Sequence, residues 1–182
     1  MPAEDNNLVV GRFWQEVFEE KNLDVADELF ASDHVLHMPD LTAEERGPYV
    51  MKGLVSIYHK VVPSIQLDLR DEIAAEDKVV SRWTARGSLA DELKAARDNG
   101  DEVSIYGITI FRISEGEIKE TWHQSEPLRN ESEALRLPAE VSERWISDDE
   151  PIRGILGGPD PRWEHWICRI CFCCMPEPTD AS

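Results

Sequence analysis

Residues 64–88 read "SIQLDLRDEIAAEDKVVSRWTARGS". Within them Ile65, Leu67 and Leu69 alternate with Gln66, Asp68 and Arg70, the period of a strand with one buried face. After the polar "AAEDK" the alternation resumes, with Val79, Ser81, Trp83 and Ala85 on one side and Arg82, Thr84 and Arg86 on the other. Upstream the period is helical. "NNLVVGRFWQEVFEEKN" (6–22) spaces Leu8 or Val9, Phe13, Val17 and Phe18 for one buried stripe, with Asn6 or Asn7 as cap. "LDVADELF" (23–30) predicts a short helix capped by Asp24, with Val25, Leu29 and Phe30 facing inward. "ASDHVLHMPD" (31–40) turns extended, and "GPYVMKGLVSIYHKVV" (47–62) predicts a third helix opened by Pro48 and closed before Pro63. Downstream, "LADELKAARDNGD" (89–101) is a polar excursion ending in an Asn99–Gly100 turn. "EVSIYGITIFRIS" (102–114) and "EIKETWHQSEP" (117–127) are then strands joined across Glu115–Gly116. Helices followed by hairpin-linked strands predict an α+β protein, its N-terminal helices packed on one face of a curved antiparallel sheet.

The chain has 182 residues, enough for one domain and an appendage, and its 41% hydrophobic content suffices for one core. Its formal net charge of −18 repels phosphate backbones and anionic headgroups, which argues against nucleic acid as a partner. No stretch approaches the roughly 20 apolar residues that span a bilayer. The opening "MPAEDNNLVV" lacks the charged and apolar regions of a signal peptide, so the protein is expected in the cytoplasm. No cysteine precedes Cys168, which fits a reducing compartment. Past Pro127 the pattern weakens. The expected division is a domain over 1–127, a helical extension over 128–150, and a Gly/Pro linker with a cysteine-rich tail over 151–182.

In order and spacing, "VVGRFWQEVFEEKNLDVADELFASDHVLHMP", "VVSRWTARG" and "YGITIFRISEGEIKETW" resemble the SnoaL-like polyketide cyclase and ester cyclase branch of the nuclear transport factor 2 superfamily, over roughly residues 6 to 126. The resemblance implies a cone-shaped α+β barrel enclosing an apolar pocket for a hydrophobic small molecule, with no cofactor, and a homodimer formed through the convex sheet face. Such a fold hosts many chemistries, so function must be argued from the site.

Alternation along the last strand groups Ile118, Trp122, Gln124 and Glu126 on one face and Thr121, His123 and Ser125 on the other. With the apolar sides inward, Trp83, Thr109, Phe111, Trp122 and Gln124 are expected to line the pocket, joined by His37. The resemblance implies an acidic general acid/base on that strand, promoting ring closure, and Glu126 occupies about that place. Here the family's usual Asp is replaced by Glu, and "SEPLRN" stands where a Gly-Leu pair often opens the next helix. A carboxyl in a desolvated pocket has a raised pKa and trades protons near neutrality; a solvated strand-end carboxylate is the competing reading. His37 either lines the pocket or bonds backbone where its strand ends. His34, His59 and His123 have no metal-site spacing and are read as surface or interface residues.

Cys168, Cys171, Cys173 and Cys174 lie within seven residues, beyond the domain and the linker. One reading is a soft metal ion, with His165 as a further ligand, although adjacent Cys173 and Cys174 cannot easily turn to one ion. Another is a peptide presented by a carrier domain to a modifying enzyme, with leader cleavage after Gly158. Lipid attachment conflicts with the acidity of the chain.

Overall fold

The computed structural model describes residues 3–38, 46–94 and 102–125. Outside them lie the Asn99–Gly100 turn, Glu126, the expected extension (128–150) and the linker and tail (151–182) with Gly158 and all four cysteines.

The first helix begins as α1 (Ala3–Arg12) and continues as a π-helical segment, Phe13–Glu19. Its wide turn is visible in the bond from the Glu20 N–H to the Gln15 carbonyl, 3.0 Å. The buried stripe runs through Val10, Phe13, Trp14, Val17 and Phe18, and Leu8 is exposed. Asn6, expected as a cap, is instead buried inside the helix and donates to the Glu76 carbonyl at 3.0 Å. A 3-10 turn (Leu23–Val25) leads into α2 (Ala26–Leu29), with no side-chain cap from Asp24; Val25, Leu29 and Phe30 face inward as expected.

β1 (Phe30–His37) follows, then α3 (Pro48–Val61). Gly47 precedes α3 at φ 103, a conformation that disfavours side chains, and its N–H closes onto the His34 carbonyl at 2.8 Å. Pro48 then supplies a preset first-turn φ. Leu54, Tyr58 and Val61 form part of the buried stripe of α3. The remaining elements are β2 (Gln66–Ala75), β3 (Lys78–Ser88), the short α4 (Asp91–Lys94), β4 (Glu102–Ser114) and β5 (Glu117–Ser125). Glu115 and Gly116 both have positive φ, 56 and 85, as a tight hairpin turn with the right twist demands.

The sheet order is β1-β5-β4-β3-β2. The α+β class holds, with two amendments: β1 pairs parallel to β5 rather than antiparallel, and the sheet stays open, with β1 and β2 at its edges. β1 is entered from α2 and leads through α3 to β2 at the opposite edge of the sheet, so it joins no hairpin and is free to run parallel.

A bulge decides which residues of β5 face in. Arg112 pairs with Glu120 and Ile113 with Ile118, so Lys119 is an extra residue. Ile118, Thr121 and His123 are therefore buried, whereas Trp122 is only partly covered and Gln124 is exposed. The grouping of Trp122 and Gln124 with Ile118 on one face is corrected accordingly.

Aromatic rings fill the space between helices and sheet. Phe13 lies 5.4 Å from Phe111, Trp14 lies 6.0 Å from Trp83, and Tyr58 lies 6.2 Å from Trp83. Trp83 fits because its partner across β3–β4 is Gly107, where a Cβ would overlap the indole Cζ2.

Candidate functional site

Three strands bring polar side chains into one inward row. Ser81 on β3 is in register with Thr109 on β4, and Thr109 with His123 on β5; each is buried. Apolar strands carrying such a row would lose stability unless every group were paired. The helices complete the pairing. From the π-helical segment, the Trp14 indole N–H donates to Ser81 Oγ at 3.1 Å. On α3, Tyr58 sits 3.0 Å from His123 Nε2 and donates to Ser125 Oγ at 3.0 Å.

Trp83 extends the row into a chain. Its indole N–H donates to Thr109 Oγ1 at 3.0 Å, and Thr109 Oγ1 lies 3.0 Å from His123 Nδ1. Trp83–Thr109–His123–Tyr58–Ser125 is thus a continuous run of hydrogen bonds from the core to the end of β5, where Ser125 is half-buried. His123 stacks on Trp83 with ring centres 5.6 Å apart. Desolvation lowers the His123 pKa to about 4, so its imidazole is neutral at pH 7. A neutral imidazole between two hydroxyls can accept from one and donate to the other, the arrangement that relays protons without a net buried charge.

The expected site residues separate across the sheet. Trp83, Thr109 and Phe111 face inward but are fully buried, core groups rather than walls of an open pocket. Trp122 and Gln124 are on the outer face, placed there by the bulge. His37 is with them: it pairs in register with Trp122 and stacks on it at 5.0 Å, its Nε2 3.2 Å from Glu120 Oε2. Arg112 Nε donates to the other oxygen of Glu120 at 3.1 Å and holds this carboxyl below the usual range. His37 therefore lies across the sheet from the inner row. The surface role given to His34 and His123 is also overturned. His34 is fully buried, its Nε2 2.9 Å from Thr121 Oγ1, and desolvation lowers its pKa to about 4. His59 is half-buried and contacts the Phe18 carbonyl at 2.6 Å.

Tyr58, His123 and Ser125 were missed by sequence reasoning. Tyr58 had a visible signal, since it continues the apolar stripe of α3 while carrying a hydroxyl that needs a buried partner. His123 had none until the bulge was known. Among the described residues, no group of three His, Cys, Asp or Glu side chains converges as a metal site. A cavity of about 290 Å³ lined by Asn6, Glu76, Asp77, Ile113, Ser114 and Glu115 lies at the hairpin-turn end of the sheet, away from the chain that ends at Ser125. No described helix is long and apolar enough to cross a membrane.

Comparisons with known proteins give this fold a lineage. Among similar solved structures is wild-type IdmH from Streptomyces antibioticus, at 22% identity and a TM-score of 0.58, covering 66% of this chain and 91% of that one. A SnoaL-like protein from Jannaschia sp. CCS1 is 16% identical with a TM-score of 0.59, covering 69% and 89%. TsrD from Streptomyces laurentii is 21% identical with a TM-score of 0.57, covering 69% and 91%. At these identities the likeness is one of fold. A search among curated proteins found no match. A family model described as SnoaL-like polyketide cyclase matches residues 8–131 of the 182, and the chain belongs to that family.

Proposed function

We propose that this protein binds a hydrophobic small molecule bearing a carbonyl and moves a proton on it without metal or organic cofactor, as in ring closure or isomerisation. The observation that carries the reading is the connected run from Trp83 to Ser125, polar groups placed in an aromatic core where an apolar row would pack as well. In this reading Glu126, the next residue after Ser125, is the acid/base, while Tyr58 and His123 orient the carbonyl. The family supports the small-molecule half of this proposal.

The test offers the full-length protein polycyclic aromatic ketones and β-keto esters and follows turnover by absorbance and mass spectrometry. Glu126→Gln is expected to lower kcat by at least about a hundredfold with ligand affinity retained, the usual scale for losing a general acid/base. Wild-type turnover persisting in that variant would overturn the assignment.

We also propose a homodimer through the outer sheet face, where Ile73, Tyr106 and Ile108 are exposed beside the half-buried Val80, Ile110 and Trp122. The tail is a separate matter, supported by the crowding of four cysteines beyond the matched residues. If it is a substrate for a modifying enzyme or a seat for a soft metal, intact mass from the native host departs from that of the unmodified chain. Changing its four cysteines to Ser should leave turnover at the folded domain intact.

A further inference from the structure

Resting on the reading of a carbonyl-bearing ligand, we infer that Ser125 is the ligand-facing end of a one-way hydrogen-bond chain whose direction Trp83 sets. The site thus presents a hydrogen-bond donor and selects ligands by an acceptor oxygen.

The direction follows from counting protons. An indole N–H can only donate, so Thr109 Oγ1 must accept from Trp83. If His123 also donated to it from Nδ1, the Thr109 hydroxyl proton would be left with no acceptor among the described residues, on a fully buried side chain. Such an orphan costs about 1–3 kcal/mol. The Thr109 hydroxyl therefore donates to Nδ1, and a neutral His123 carries its one proton on Nε2. That proton goes to the Tyr58 oxygen, 3.0 Å away. Having accepted, Tyr58 gives its own proton to Ser125 Oγ. Ser125 is then an acceptor on its inner side, and among the described residues its own O–H meets no acceptor. Each bond polarises the next in a medium of low dielectric, so the terminal donor is stronger than an isolated serine. The lowered pKa of His123 agrees with this picture, since an imidazolium would donate from both nitrogens and destroy the single direction.

Two measurements on the full-length protein test the chain and its target separately. In 15N-labelled protein at pH 7, with the signal assigned through His123→Gln, His123 is expected as the neutral Nε2–H tautomer. An Nδ1–H tautomer or an imidazolium overturns the direction. For the ligand, anthrone is titrated against 9,10-dihydroanthracene, which keeps the tricyclic frame and lacks the carbonyl. One neutral hydrogen bond predicts about threefold to tenfold tighter binding of anthrone, with the preference abolished in Ser125→Ala. Equal affinities in the wild type, or a preference that survives in Ser125→Ala, overturn the ligand-facing role. Binding of neither compound overturns that role together with the pocket reading, and the tautomer still decides the direction on its own.

Discussion

Thr109 shows most simply how much rests on single side chains. It accepts from Trp83 and contacts His123 while fully buried, so Thr109→Val keeps the shape and strands two polar groups at once. A loss of about 2–4 kcal/mol in denaturant unfolding is expected, against under about 1 kcal/mol were the threonine merely a well-packed residue. Gly107 is constrained by shape instead. Its missing Cβ is the space the Trp83 indole occupies, and Gly107→Ala is expected to cost about 1–3 kcal/mol by the same measurement. Titration gives the third residue-level expectation. His34 and His123 have folded pKa values lowered from 6.5 to about 4 by burial, so the unfolded chain binds more protons than the folded one between those pH values. Stability is then fully present above pH 6.5 and falls as pH drops toward 4, by about 3 kcal/mol for each histidine. Because domains are stable by only about 5–15 kcal/mol, the midpoint of thermal unfolding is expected to fall steeply from pH 6.5 to 4, and more shallowly in His123→Gln.

At the scale of the element, the bulge in β5 matters more than the strand's composition. Ile118 and Thr121 both face in because Lys119 and Glu120 together oppose Arg112. Deleting Lys119 regularises the ladder and leaves Thr121 and His123 inside, so cooperative unfolding should survive. Deleting Trp122 shifts His123 to the outer face and puts Gln124 inward, and cooperative unfolding should be lost. Circular dichroism with a denaturation curve separates the two. The π-helical segment plays a comparable part at the other wall, since it carries Phe13, Trp14, Val17 and Phe18 into the core and Trp14 to Ser81.

Across the whole molecule, the two faces of one sheet have different work. The inner face meets the helices through aromatic rings and the polar row; the outer carries Ile73, Tyr106 and Ile108 among ion pairs such as Arg82–Asp71 and Arg112–Glu120. If that outer face joins two copies, sedimentation gives a dimer for the wild type and a monomer for Ile108→Lys, with the fold intact by circular dichroism. Much of this architecture was legible in residue order. The change from helical to alternating period near Ser64, Pro48 at the start of α3 and the Glu115–Gly116 turn are local preferences, and local preference is what a linear pattern records. Trp83, Thr109 and Phe111 were placed on the inner face for the same reason, because β3 and β4 pair with one another without interruption. What the pattern could not hold was the extra residue in β5, which arises only when two strands are laid side by side and which moved Trp122 and Gln124 outward. Nor could it hold the meeting of Tyr58 with His123, 65 residues apart, since that contact exists only once α3 has packed across the sheet. Periodicity belongs to the chain, whereas register and the pairing of buried polar groups belong to the packed molecule, and the candidate site is made of the latter.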